Sequence, residues 1–189
     1  MSVSKLAAAV LLLGACASVP AAELEGVTMP DRIVVDGKDL VLNGMGLREA
    51  TFFKVDVYVA GLYLQERSSD PGRILDSGGI KRIVMHFVYS RVDREKLVEA
   101  WGEGLQENLG SDLERLRPAL AQLDGWMETV EAGDTMVFTA LPGRGLEVEI
   151  KGRIKGIIAD PDFARLFWAV WLGPEPPNPG LKRGLLGLD

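Results

Sequence analysis

The chain holds one histidine, His86, and one cysteine, Cys16, among 189 residues. That scarcity all but excludes Ser-His-Asp and Cys-His catalytic centres, and zinc sites that draw several ligands from the same two residue types. A single cysteine also forbids an intrachain disulfide, so stability has to come from packing. Basic charge is short as well. With 21 Lys and Arg against 27 Asp and Glu, the formal charge is −6 and the pI is near 5.0. A nucleic-acid partner is not expected, because displacing counterions from phosphates needs a basic surface. No GxxxxGK[ST] loop occurs, and in Gly44–Glu49 (GMGLRE) a glutamate occupies the third glycine position of GxGxxG and the segment leads into a strand. No cofactor and no metal are expected. What the chain does have is 47% hydrophobic and 25% charged residues without a long biased tract, which suits one globular domain with a real core.

The N-terminus reads separately from the rest. Lys5 precedes an apolar run from Leu6 to Ala15 that is followed by small residues, the layout of a secretory signal peptide over residues 1–22. The run is too short to span a hydrocarbon core of about 30 Å as a permanent anchor. Two processing routes are open. Val19-Pro20-Ala21 suits an ordinary signal peptidase, whereas Leu13-Gly14-Ala15-Cys16 resembles a lipoprotein motif in which Cys16 would be lipidated. The first predicts a periplasmic or secreted protein, and the second a protein tethered to the bacterial envelope, with membrane contact only through Cys16.

Residues 23–189 read as one α+β domain. Ile33, Val35, Leu40 and Leu42 alternate around Asp36-Gly37, a pair suited to a tight hairpin turn. Asn43-Gly44 marks a second turn. Phe52–Leu64 and Ile80–Tyr89 predict long strands rich in β-branched and aromatic residues. Leu97, Trp101, Leu105 and Leu109 form one apolar stripe after the N-cap candidate Asp93. Ser111 and Glu114 resemble a capping box opening a second helix that Pro118 bends or limits. Strands at 134–141 and 146–151 flank a four-residue connection, and 153–158 continues the second strand past a bulge at Gly152. Asp160-Pro161 opens a last helix that Gly173 stops, and an amphipathic tail closes the chain. Strands first, helices next and then a hairpin is not the alternation of a doubly wound fold; an antiparallel sheet with helices on one face fits.

Within Leu42–Leu64 (LNGMGLREATFFKVDVYVAGLYL), Arg48 stands at the mouth of the long strand. Period-two parity puts Phe53, Val55, Val57, Val59 and Tyr63 on one face, and Lys54, Asp56, Tyr58, Ala60, Leu62 and Leu64 on the other. The second face begins polar and ends apolar, as the wall of an amphiphile's cleft would. Arg48, Tyr58 and Lys54 are the candidate ligand-binding residues, with Arg48 offering a planar cationic fork for a carboxylate or phenolate and Tyr58 a hydroxyl donor. The alternative is surface pairing of Arg48 with Glu49 or Asp56. Asp56 fits the cleft least, since it would repel an anion. His86, in Ile83–Tyr89, reads as a core or sheet-edge histidine, and Trp101, Trp126, Trp168 and Trp171 read as core filling.

That stretch, together with GDTMVFTALPGRGLEVEIKG and FARLFWAVWLG in the same order, resembles bacterial members of the chalcone isomerase-like family over most of the mature chain. The resemblance implies an open-faced β-sandwich, a large antiparallel sheet with helices packed on one face. It implies two kinds of function. Plant enzymes of the family are intramolecular lyases that close a chalcone to a flavanone, while non-catalytic relatives bind fatty acids in the same cleft. Both use an arginine at the position of Arg48, and Tyr58 falls where the family places an assisting hydroxyl, with Tyr63 a lesser candidate. If the protein is catalytic, Arg48 and Tyr58 are its catalytic residues. The plant enzymes also carry a tyrosine and an asparagine at positions that here are Asp93 or Val92 and Ala100. The expectation is a secreted binder of a fatty acid or other small anionic amphiphile. The alternatives are an isomerase of the chalcone type and a ligand-free interaction protein of the envelope.

Overall fold

The computed structural model describes residues 20–50 and 55–189. Its centre is a seven-stranded, wholly antiparallel sheet. In spatial order this runs β11 (Arg153–Ile158), β10 (Gly145–Ile150), β9 (Thr135–Leu141), β6 (Lys81–Phe87), β5 (Val55–Leu64), β4 (Lys38–Ala50) and β3 (Arg32–Val35). A hairpin of β1 (Ala21–Leu24) and β2 (Val27–Pro30) lies outside it, and β7 (Arg91–Val92) pairs with β8 (Val130–Glu131). The helices are α1 (Pro71–Asp76), α2 (Arg94–Leu109), α3 (Leu113–Trp126), α4 (Pro161–Leu166), α5 (Ala169–Leu172) and α6 (Pro179–Leu185). This is the expected α+β, open-faced architecture. No helix among the described residues is long and apolar enough to cross a membrane.

One face of the sheet meets the helices. Tyr58, Ala60, Leu62 and Leu64 of β5 and Ile83, Met85 and Phe87 of β6 pack there against Leu97, Trp101 and Leu105 of α2, the leucines of α3, and Phe163, Phe167, Trp168 and Trp171. The other face has a smaller core in which Val27 and Met29 of the β1–β2 hairpin cover Leu40, Leu42, Val59 and Tyr63. Both faces of β5 are therefore buried at its C-terminal half. From Tyr58 onward, the expected core face, with Val59 and Tyr63, meets the hairpin, and the expected cleft wall, with Tyr58, Ala60, Leu62 and Leu64, meets the helices.

Several turns differ from expectation. Asp36 and Gly37 do take the positive φ of a tight turn, at 51° and 71°, and join β3 to β4. Asn43-Gly44 is no turn. It is a bulge within β4, where the register against β5 slips between Leu42 and Gly44, and the buried Asn43 side chain donates to Ser68 O (3.0 Å) and Leu185 O (2.7 Å) and accepts from Ser68 N (2.8 Å). The quoted segment is consequently two strands, and Arg48 sits inside β4 rather than ahead of a strand. Lys151 and Gly152, at φ 53° and 70°, turn the chain back, so 153–158 is a separate antiparallel strand. The Ser111–Glu114 box does not form, because residues 110–112 are a 3-10 turn and α3 starts without a side-chain cap, then runs through Pro118 to Trp126. The final helix breaks into α4 and α5.

The C-terminal tail is structural. Helix α6 lies backbone to backbone on β4, with Gly184 against Met45 and Gly46, and Gly44 against Gly184 and Gly187. Only glycine permits that approach. Leu181, Leu185 and Leu186 are buried in the helix-side core as a result.

Candidate functional site

Two bulges aim the site. In β4, Leu40 and Leu42 belong to the hairpin-side core, and a strand without interruption would send Arg48 to that same face. The extra residue at Asn43 reverses the parity, so Met45 and Leu47 now pack on the hairpin side while Gly44, Gly46 and Arg48 face the helices. A second irregularity follows: Arg48 pairs with Tyr58 but Glu49 pairs with Asp56, which leaves Val57 over. Val57 and Tyr58 both line the helix-side cleft, and Asp56 does not. The residue that fitted least is thus out of the site.

The cleft has a volume of about 340 Å3 and runs between α2 and the ends of β4, β5 and β6. Arg48 and Tyr58 stand on its sheet side with Val57, Met85 and Phe87; Leu97, Ala100, Trp101 and Gly104 of α2 form the facing wall. Lys96, Glu103 and Glu107 of α2 also line it, and the segment Glu175–Pro177 closes one end. That segment is pinned on both sides. Asn108 Nδ2 donates to Glu175 O (2.8 Å) and Glu175 N to Asn108 Oδ1 (3.0 Å), while Asn178 Nδ2 donates to Leu47 O (3.0 Å), the residue before Arg48.

Arg48 donates to the carbonyl of Glu49 and forms no ion pair among the described residues. The expected alternative, pairing with Glu49 or Asp56, is therefore not what the cation does. Tyr58 is 7% exposed, stacks edge-on to Phe87 with ring centroids 5.6 Å apart, and accepts a hydrogen bond from Trp171 Nε1 at 3.2 Å. Its own proton finds no acceptor among the described residues and is free to be donated. Burial pushes the Tyr58 hydroxyl up to about 12, with the Trp171 bond and the Arg48 charge pulling the other way, so it is neutral at ordinary pH. A cation and a neutral donor beside the apolar wall of Val57, Met85, Phe87, Leu97 and Trp101 can together hold one anionic group.

Lys54 and Cys16, the other two candidates, lie outside the described residues. Tyr63 is on the opposite face, where its hydroxyl donates to Pro30 O at 3.0 Å, so Tyr58 is the tyrosine brought to Arg48. Trp101 packs in the core, as its place on the α2 stripe predicts, but it also lines the cleft. Its place on the stripe Leu97–Trp101–Leu105 gave no sign of that, because core and cleft share one helix face. His86 is half-buried on the face away from the helices, paired across the sheet with Val59 and Thr135. It lines a second groove of about 550 Å3 under the β1–β2 hairpin. The cation there, Arg82, is committed to Thr139 Oγ1 (3.2 Å) and Glu149 (3.5 Å), so it is less available to a ligand than Arg48 is. No cluster that could hold a metal occurs among the described residues.

Tyrosine burial carries a pH prediction. Tyr58 and Tyr63 are both raised from 10.0 to about 12, the latter by burial with Arg82 opposing and Asp31 adding. Above pH 10 the unfolded chain sheds both protons while the folded chain keeps them, so the folded state binds more protons and stability falls as pH rises from about 10 to about 12. Urea midpoints measured at intervals across that window should decline, and Tyr58→Phe should flatten the decline. Midpoints that hold constant to pH 12 would contradict the burial described.

No curated protein sequence matches the chain. Among solved structures, a fatty-acid binding protein of Arabidopsis thaliana superposes with a TM-score of 0.69 over 88% of this chain and 96% of that one, at 19% identity, which establishes a shared fold. A family model described as chalcone isomerase-like matches residues 21–187, and the chain belongs to the chalcone isomerase-like family.

Proposed function

We propose that this protein binds a fatty acid or a similar small anionic amphiphile, with Arg48 clamping the head group and Tyr58 donating a second hydrogen bond. The observation that carries the reading is the pairing of a guanidinium that has no ion pair among the described residues with a buried, neutral hydroxyl whose proton has no acceptor among them, both lining one cleft. The fatty-acid binding described for the Arabidopsis protein of the same fold supports it. The signal-like residues 1–22 support export to the periplasm or the outside, with lipidation at Cys16 the alternative.

Isomerase chemistry is the weaker reading. Of the residues at the positions where the plant enzymes carry a tyrosine and an asparagine, Val92 and Ala100 line this cleft and cannot hydrogen-bond through their side chains, while Asp93 does not line it and pairs with Arg91 at 2.8 Å. Purified protein should close a hydroxychalcone no faster than buffer does.

Tyr58→Phe tests the head-group assignment gently. It keeps the ring against Phe87 and removes one neutral hydrogen bond, so calorimetric affinity for octanoate should fall about 2- to 10-fold. An unchanged affinity with an intact fold would take Tyr58 out of the site.

A further inference from the structure

We propose that the Arg48 cleft is size-selective, taking a medium-chain rather than a long-chain amphiphile, and that Trp101 sets the limit. This rests on the reading of the cleft as an anion-headed site. The cleft's 340 Å3 is near the bottom of the range for small-molecule sites. A volume at that end of the range suits a medium-length carboxylate better than a long-chain fatty acid.

The wall at Trp101 is an aromatic block. Trp101 is held by a hydrogen bond from its Nε1 to Met127 Sδ at 3.1 Å, and its ring lies edge-on to Phe138 (5.4 Å between centroids) and Trp171 (5.7 Å), with Phe167 at 5.9 Å. Trp171 is fixed in turn by its bond to Tyr58. A longer tail would have to displace this aromatic block from a close-packed core or leave its last methylenes in water. Each methylene that enters should tighten binding about fourfold, and each that stays outside should add nothing.

The test is a calorimetric series of straight-chain carboxylates from butanoate to hexadecanoate, all below their micelle concentrations, on the wild-type protein and two variants. In the wild type, affinity should climb steeply to eight to ten carbons and then level off or fall. Trp101→Leu should move that break toward twelve carbons or more. Ala100→Phe, an exposed helix position on the cleft wall that is safe for folding, should move it to six or fewer and weaken octanoate at least tenfold. Steady tightening through sixteen carbons in the wild type would overturn the size limit while leaving the Arg48 reading intact. A break that stays in place in both folded variants would overturn the role of Trp101. Failure of every chain length to bind would overturn the anion-headed site itself, and the size limit with it.

Discussion

Arg48→Ala should weaken octanoate binding about 10- to 150-fold, the loss expected when a charge-assisted hydrogen bond worth about 1.5–3 kcal/mol is removed from a sheltered site. Stability should change little, because Arg48 has no ion pair among the described residues and its only recorded hydrogen bond is to the neighbouring Glu49 carbonyl. Arg48→Lys should fall between, keeping a charge but losing the planar fork that meets both carboxylate oxygens. Calorimetry with thermal melts on the same samples separates affinity from folding. An unchanged dissociation constant for Arg48→Ala would remove the residue from the site.

The second large effect is on stability and lies where the chain ends. A Cβ on Gly184 would overlap the Met45 carbonyl and stand 2.8 Å from Gly46 Cα, and both obstacles are backbone atoms that cannot rotate away. Gly184→Ala should therefore cost about 3 kcal/mol, the upper part of the usual overpacking range, and lower the melting temperature by roughly 6–12 °C. Gly102→Ala is the contrast. That glycine lies inside α2 with open space around its missing side chain, and the substitution should stabilise by about 0.5–1 kcal/mol through helix propensity. Equal effects of the two substitutions would show that α6 is not docked on β4 as described. Because β4 carries both Gly46 and Arg48, loosening α6 should also weaken ligand binding, whereas Gly102→Ala should not.

Much of the fold is legible in local chemistry. The Asp36-Gly37 turn, the α2 stripe and the Asp160-Pro161 cap all follow from short-range rules, and Asp160 does accept from Phe163 N at 2.9 Å. What escapes local reading is what distant contacts decide. Asn43-Gly44 has turn chemistry, yet Asn43 spends its amide on Ser68 and Leu185, far along the chain, and becomes a bulge instead. Parity along β5 separates the faces from Tyr58 onward but fails at Val57 and Asp56, where the bulge intervenes, and it cannot say that the β1–β2 hairpin buries one face. The same limit applies to the site. Arg48 and Tyr58 are visible as residue types on one stretch, whereas their convergence depends on one bulge that turns Arg48 over and another that removes Asp56. Trp101 belongs to the cleft as well as the core because one face of α2 serves both.

The most direct test of the central claim is a crystal structure of residues 21–189 with octanoate bound. The carboxylate should lie within hydrogen-bond distance of the Arg48 guanidinium and the Tyr58 hydroxyl, with its tail ending against Trp101. Octanoate seated instead in the groove beneath the β1–β2 hairpin beside Arg82 and His86, with the Arg48 cleft empty, would contradict the account.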